Sequence, residues 1–201
     1  ILFFFPDQHR GDWMPYEKDI FNYLGMDELP LRMPNLKRLM KEGVTFRSAV
    51  TPSPLCAPAR ACLAAGVRYD KCQVPDNNYD FPLDKNTFYS ILRDDGYQVG
   101  GVGKFDLHKS TYWWGKNGWI SELGDLGFTE AVDNAGKIDA INSYINYNPF
   151  NNDNIPKKGE KNEPNDPYMK YLQDKGLAEL HVKDLKERQK DRYSVKPTEL
   201  H

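Results

Sequence analysis

Apolar positions are grouped along the chain in two distinct ways. Residues 1–6 form a continuous apolar run ending in Pro6-Asp7, the pattern of a parallel-sheet strand covered on both faces. Residues 34–42 carry Leu36, Leu39 and Met40 at helical spacing, with Pro34 suited to the first turn and Gly43 to the stop. Val44 to Val50 reads as a short strand broken at Pro52 and Pro54. Residues 57–65 are rich in alanine and helix-prone, and end at Gly66. Residues 86–94 make another amphipathic helix through Phe88, Ile91 and Leu92, which turns at Asp95-Gly96 into a strand over Tyr97–Val102. From 141 to 168 the chain turns to Asn, Pro, Lys and Asp, as in a long surface insertion loop, and 177–190 returns to a charged helical pattern.

Strands alternating with helices across short glycine turns predict an α/β fold with a mostly parallel sheet. Ligands of such sheets gather at the carboxyl ends of the strands. Asp7 and Lys104 both follow predicted strands, at that edge.

Composition narrows the function classes. The 201 residues are 39% hydrophobic and 28% charged, as in an ordinary folded protein. Lys and Arg number 27 against 29 Asp and Glu, so the net charge of −2 offers no footprint for nucleic acid or an anionic membrane. No apolar run approaches the roughly 20 residues of a membrane-spanning helix. The five apolar residues at the start are too few for a signal peptide, and a true N-terminus further upstream is expected. Cys56, Cys62 and Cys72 match no zinc spacing and allow at most one disulfide.

The chemistry concentrates in Cys56-Ala57-Pro58-Ala59-Arg60. Pro58 in a first helical turn puts Cys56 at or near the N-cap, where backbone N–H groups and the helix dipole favour an anion. Arg60, four residues on, falls on the same helical face. A nucleophile with a fixed cation behind it suits attack on a sulfate or phosphate ester. The same spacing also suits a buried structural cysteine beside a helix-surface arginine.

This stretch resembles the Cys-x-Pro-x-Arg signature of the formylglycine-dependent sulfatases, members of the alkaline-phosphatase-like superfamily. The resemblance implies a central, mostly parallel sheet flanked by helices, of which residues 1–201 would be the N-terminal portion. It implies that Cys56 is oxidised to formylglycine by a maturation enzyme that reads Cys56, Pro58 and Arg60. One hydroxyl of the hydrated aldehyde would attack sulfur and the other would then expel sulfate. Asp7-Gln8-His9-Arg10 resembles the segment holding the family's first metal carboxylate, in the Asp-Gln form of choline-sulfatase-like enzymes and phosphonate monoester hydrolases. By resemblance Asp7, Gln8 and the converted Cys56 would bind Ca2+, with Mn2+ or Mg2+ as substitutes.

Pro34-Asn35-Leu36 looks like a structural helix of the same family, and Gly103-Lys104-Phe105-Asp106-Leu107-His108 resembles its Gly-Lys-x-His-Leu-Gly segment. Lys104 would hold a sulfate oxygen. Asp106 stands at the family's histidine position, His108 would substitute for that histidine, and Asp106 would orient it. Extended backbone would put Lys104, Asp106 and His108 on one face. Asn77 lies where relatives keep a polar side chain near substrate. Trp113, Trp114 and Trp119 could wall a sugar site, although packing suits them better; His181 and His201 match no motif.

The function implied is hydrolysis of a sulfate ester, on a carbohydrate or small molecule. The alternatives are a phosphonate or phosphate diester hydrolase on the same scaffold and a non-catalytic anion-binding relative. No second metal-binding Asp-His or Asp-Asn segment stands in the right context, so the remainder of the catalytic domain is an expected partner and the isolated chain is expected to be inactive. By analogy the enzyme would be periplasmic or secreted.

Overall fold

The computed structural model describes residues 1–110, 112–115, 117–146 and 164–190. The chain divides into two compact units, Ile1–Val50 and Thr51–His201.

The first unit holds two helices, α1 (Lys18–Leu24) and α2 (Pro34–Glu42). Gly25 ends α1 at φ 64°, a left-handed conformation that costs glycine nothing, and lets Met26 N–H reach back to the Phe21 carbonyl at 3.0 Å. Phe21 is buried with the Tyr16 ring edge-on at 6.1 Å. Helix α2 has the expected Pro34 start and Gly43 stop.

Two strand expectations fail in this unit. Residues 1–6 form no strand, and Ile1 to Phe5 are exposed. Residues 44–50 form none either, with Val44 and Val50 exposed. The physical reason is shared: an apolar run becomes a buried strand only when neighbouring strands and helices cover it, and the sheet of the described residues contains only the strands Gly100–Gly103 and Glu130–Asp133.

The second unit contains α3 (Cys56–Ala65), α4 (Phe88–Asp94), β1 (Gly100–Gly103), α5 (Ser121–Asp125), β2 (Glu130–Asp133), α6 (Lys137–Asn146), α7 (Pro167–Asp174) and α8 (Ala178–Lys190). Strands β1 and β2 pair in parallel, with Gly100 opposite Glu130 and Gly103 opposite Asp133. A parallel pair requires a crossover, and α5 lies within it. This is the predicted α/β arrangement in part, a parallel sheet flanked by helices.

The expected strand over Tyr97–Val102 is shifted to Gly100–Gly103. Tyr97 is engaged elsewhere, its N–H donating to the Leu92 carbonyl at 3.0 Å beyond Gly96, so pairing starts only where β2 runs alongside. The 141–168 stretch is helical at both ends, in α6 and α7; residues 147–163 lie outside the described residues.

Helix α4 begins in a capping box. Thr87 Oγ1 accepts the Ser90 N–H and Ser90 Oγ accepts the Thr87 N–H, both at 3.0 Å. The Thr87 hydroxyl also donates to the Leu126 carbonyl at 2.6 Å, binding α4 to the turn before β2. Gly127 completes that turn at φ 109°, where a Cβ would lie 2.1 Å from the Ser90 nitrogen. The main core joins Ala57, Ala61 and Ala64 of α3 to Phe81, Leu107, Leu123, Leu126 and Phe128. A second cluster is formed by Ala140, Ile141, Met169, Leu172 and Ala178. Asp166 caps α7 through the Met169 N–H (2.8 Å) and takes the Ala135 N–H on its other oxygen (2.6 Å).

Candidate active site

Cys56 is the first residue of α3, half-buried, after Leu55 in extended conformation as N-cap. Leu55 has no side chain with which to cap. Asn77 takes that part: its Oδ1 accepts the Ala57 N–H at 3.0 Å. Helix α3 presents alanines to the core, which fixes its rotation and places Cys56 where the helix emerges from it.

Arg60 is buried, and its guanidinium donates to the Lys104 carbonyl. This bond ties the helix that starts at Cys56 to the segment just beyond β1. Asn77, Cys56, Arg60 and Lys104 are thereby linked in one neighbourhood of the second unit.

Beyond Gly103 the backbone leaves the strand, and Asp106 takes a left-handed φ of 56°, which Asp tolerates better than most residues. The two-residue alternation therefore ends before it reaches His108, correcting the expectation of a single face for Lys104, Asp106 and His108. Lys104 Nζ and Asp106 Oδ2 still meet, at 3.3 Å. His108 is directed elsewhere: Nδ1 lies 3.2 Å from Asp80 Oδ2 and Nε2 lies 3.7 Å from Glu122 Oε1. Asp106 thus pairs with Lys104 rather than orienting His108.

Two acidic residues here, Asp80 and Asp133, carry no motif. Asp80 Oδ1 accepts the Lys109 and Ser110 N–H groups at 2.8 and 3.1 Å, holding the loop that bears His108. Asp133, at the end of β2, accepts the Phe105 N–H at 2.9 Å. Burial, reinforced by the nearby Asp106 charge, pushes the Asp133 carboxyl up to about 7. Asp106 is itself 3% exposed and also faces Lys109 Nζ at 3.4 Å, while Lys109 reaches Asp139 of α6 at 3.6 Å. The readable signal was two lysines and an aspartate within six residues, Lys104 to Lys109; only the turn at Asp106 brings them together.

Asp7 and Gln8 belong to the first unit and are exposed, with Gln8 at φ 56°. Their oxygen donors have the chemistry a hard cation prefers. Among the described residues no three His, Cys, Asp or Glu side chains converge as a metal site. Nearby, Arg10 is paired with Asp12, and its hydrogen bond holds that carboxyl below the usual range.

Trp114 is buried, Trp113 half-buried and Trp119 exposed, so the three line no common wall. His181 is buried with its ring edge-on to Tyr168 at 5.8 Å, and His201 lies outside the described residues. No helix among the described residues is long and apolar enough to cross a membrane.

Comparison with known proteins gives a consistent picture. A family model described as Sulfatase matches residues 12–198. The chain is 40% identical over 74 residues to a choline-sulfatase of Rhizobium meliloti, a match covering 37% of this chain and 14% of that protein. It is 32% identical over 77 residues to an N-acetylglucosamine-6-O-sulfatase of Bacteroides thetaiotaomicron, covering 38% and 14%. A multifunctional alkaline phosphatase superfamily protein of Trinickia caryophylli is 34% identical over 105 residues, covering 51% and 19%. The matched stretch thus spans less than a fifth of the length of each of these relatives. No solved structure gives a significant match.

Proposed function

The chain belongs to the sulfatase family, with its alkaline-phosphatase-like α/β fold represented in part, and from that premise we propose that it is the nucleophile-bearing part of an enzyme that hydrolyses sulfate esters. The observation that carries this reading is the Arg60 bond to the Lys104 carbonyl, which couples the helix beginning at Cys56 to the segment presenting Lys104. Cys56 stands at the start of α3, where the positive end of the helix dipole favours an anion.

In this reading Cys56 is converted to formylglycine, whose hydrated aldehyde supplies both the attacking oxygen and the means of releasing sulfate. Lys104 holds a sulfate oxygen. Arg60 fixes the distance between helix and lysine and adds positive potential beneath the nucleophile. Asn77 keeps the start of α3 formed and lies beside bound substrate. His108 lies with Nδ1 3.2 Å from Asp80 Oδ2 and Nε2 3.7 Å from Glu122 Oε1, and in this reading it donates a proton to the leaving alkoxide. Asp7 and Gln8 would supply oxygen ligands to Ca2+, with Mn2+ or Mg2+ as substitutes. The remaining ligands come from the rest of the catalytic domain. The substrate is a small-molecule or carbohydrate sulfate, and the enzyme works in the periplasm or outside the cell.

The complete protein, co-expressed with a formylglycine-generating enzyme, tests this. Mass spectrometry across Cys56 should find the aldehyde, and sulfate-ester turnover should exceed phosphonate-ester turnover in kcat/KM. Faster phosphonate hydrolysis makes the enzyme a phosphonate or phosphate diester hydrolase. An unmodified thiol alongside a competent maturation enzyme makes it a non-catalytic anion binder.

A further inference from the structure

Lys104 and Lys109 bring two ammonium groups to one small region, and a single buried carboxylate stands between them. Asp106 Oδ2 lies 3.3 Å from Lys104 Nζ, and Asp106 Oδ1 lies 3.4 Å from Lys109 Nζ. The Asp106 side chain is 1% exposed, and those of Lys104 and Lys109 are 16% and 10% exposed. A carboxylate that deep is tolerated only with charged partners, and an ammonium that deep loses its proton readily without one. The left-handed backbone at Asp106 turns the carboxylate back toward Lys104, at a cost in strain that the surrounding contacts must hold in place. The Phe105 N–H bond to Asp133 and the Arg60 bond to the Lys104 carbonyl both fix the Lys104–Phe105 peptide immediately before that turn.

We infer that Asp106 is the positioning residue for Lys104, keeping its ammonium charged and aimed within the candidate site. The inference rests on the reading of Lys104 as the sulfate-binding cation. Other charged groups packed nearby act with or against Asp106. Asp106 favours the ammonium. Arg60 of α3 and Lys109 oppose it. Asp133 of β2 and Asp139 of α6 favour it from further away, Asp139 through Lys109. Removing Asp106 leaves two cations facing each other across a buried gap, so Lys104 gives up its proton at lower pH.

The test is the pH profile of kcat/KM for the complete matured enzyme, measured for the parent and for Asp106→Asn. Asparagine keeps the size and tolerates the left-handed backbone. The expected result is a fall of about 10- to 100-fold in kcat/KM, from displacement of the cation. The basic limb should also move down by about one pH unit or more. Losing Asp106 also removes a like charge beside Asp133, so Asp133 could move a limb in the same direction. Adding Lys104→Arg to D106N separates the two: arginine does not titrate, so the limb should disappear. A limb that stays where D106N put it belongs to Asp133 and overturns the inference.

An unmoved limb in D106N overturns it as well. Lys104→Ala on its own tests the parent reading, because full activity there removes Lys104 from the site whatever Asp106 does. Should D106N fail to fold, D106N combined with Lys109→Met removes one stranded ammonium and is read the same way. Failure of both to fold makes Asp106 a purely structural residue and overturns the inference.

Discussion

Asn77 and Leu55 divide between them a task that one residue usually performs. Leu55 has the extended backbone of an N-cap and no oxygen to offer, so the amide oxygen of Asn77 arrives from a separate loop at 3.0 Å. Asn77→Ala should therefore cost about 1 kcal/mol of stability, read as a lower urea midpoint. Asn77→Asp should keep or improve that stability, since a carboxylate favours a helix N-terminus. It should nevertheless raise KM for an anionic ester, and an unchanged KM would remove Asn77 from the substrate's surroundings. Arg60 is buried and bonds across to another element, so Arg60→Ala should cost about 2 to 3 kcal/mol, visible in the thermal melt.

Asp133 supplies a pH dependence of known sign. Its carboxyl ordinarily titrates at 3.8 and is raised to about 7 in the folded chain. The folded state therefore binds a proton that the unfolded chain has already released. This contribution is present in full below the unfolded value and is lost as pH rises toward 7. Asp133→Asn should flatten the fall in melting temperature between about pH 4 and pH 7. A slope unchanged from the parent would show that Asp133 ionises at no cost.

Among the elements, α2, α3, α4 and α8 were legible in the sequence because their signals are local: Pro34 and Gly43 bracket one helix, and Gly66 ends another. The strands were harder. Residues 1–6 and 44–50 have strand composition but do not join the sheet of the described residues, and Tyr97 is used to close α4 before β1 begins. Strand identity depends on distant segments, and one sequence does not state which of those will arrive. The site shows the same division. Cys56, Arg60 and Lys104 were readable as residues, whereas the pairing of Asp106 with two lysines depends on a left-handed turn that no spacing announces.

Gly127 shows how a single position controls two elements. Its φ of 109° disfavours any side chain, and an added Cβ would meet backbone atoms of Ser90 and Tyr89 at 2.1 to 2.5 Å. Backbone cannot rotate aside as a flexible side chain can, so Gly127→Ala must push α4 from the turn before β2 and break the Thr87–Leu126 bond. The expected loss is at least about 3 kcal/mol, with the urea slope unchanged. A loss under about 1 kcal/mol would mean that α4 moves freely against the sheet.

At the scale of the whole molecule, two features bear on how the chain behaves by itself. A two-stranded parallel sheet is marginal, because such sheets are stable when covered on both faces. Here Val102 is 82% exposed, and Ile1 to Phe5 are exposed as well. The cation chemistry is similarly partial: Asp7 and Gln8 offer oxygen donors, and no described group of three acidic, histidine or cysteine side chains converges. Tight Ca2+ binding needs six or more oxygen ligands held together, and a pair of exposed donors falls far short of that number. The isolated 1–201 chain should therefore bind Ca2+ more weakly than about 1 mM by calorimetry and show no sulfate-ester turnover. The complete protein should bind the ion at least about a hundredfold more tightly, because its additional ligands act on an ion already held nearby. Tight binding by the short chain would mean that its own side chains assemble a full coordination sphere. Equal weakness in both proteins would remove Asp7 and Gln8 from any cation site.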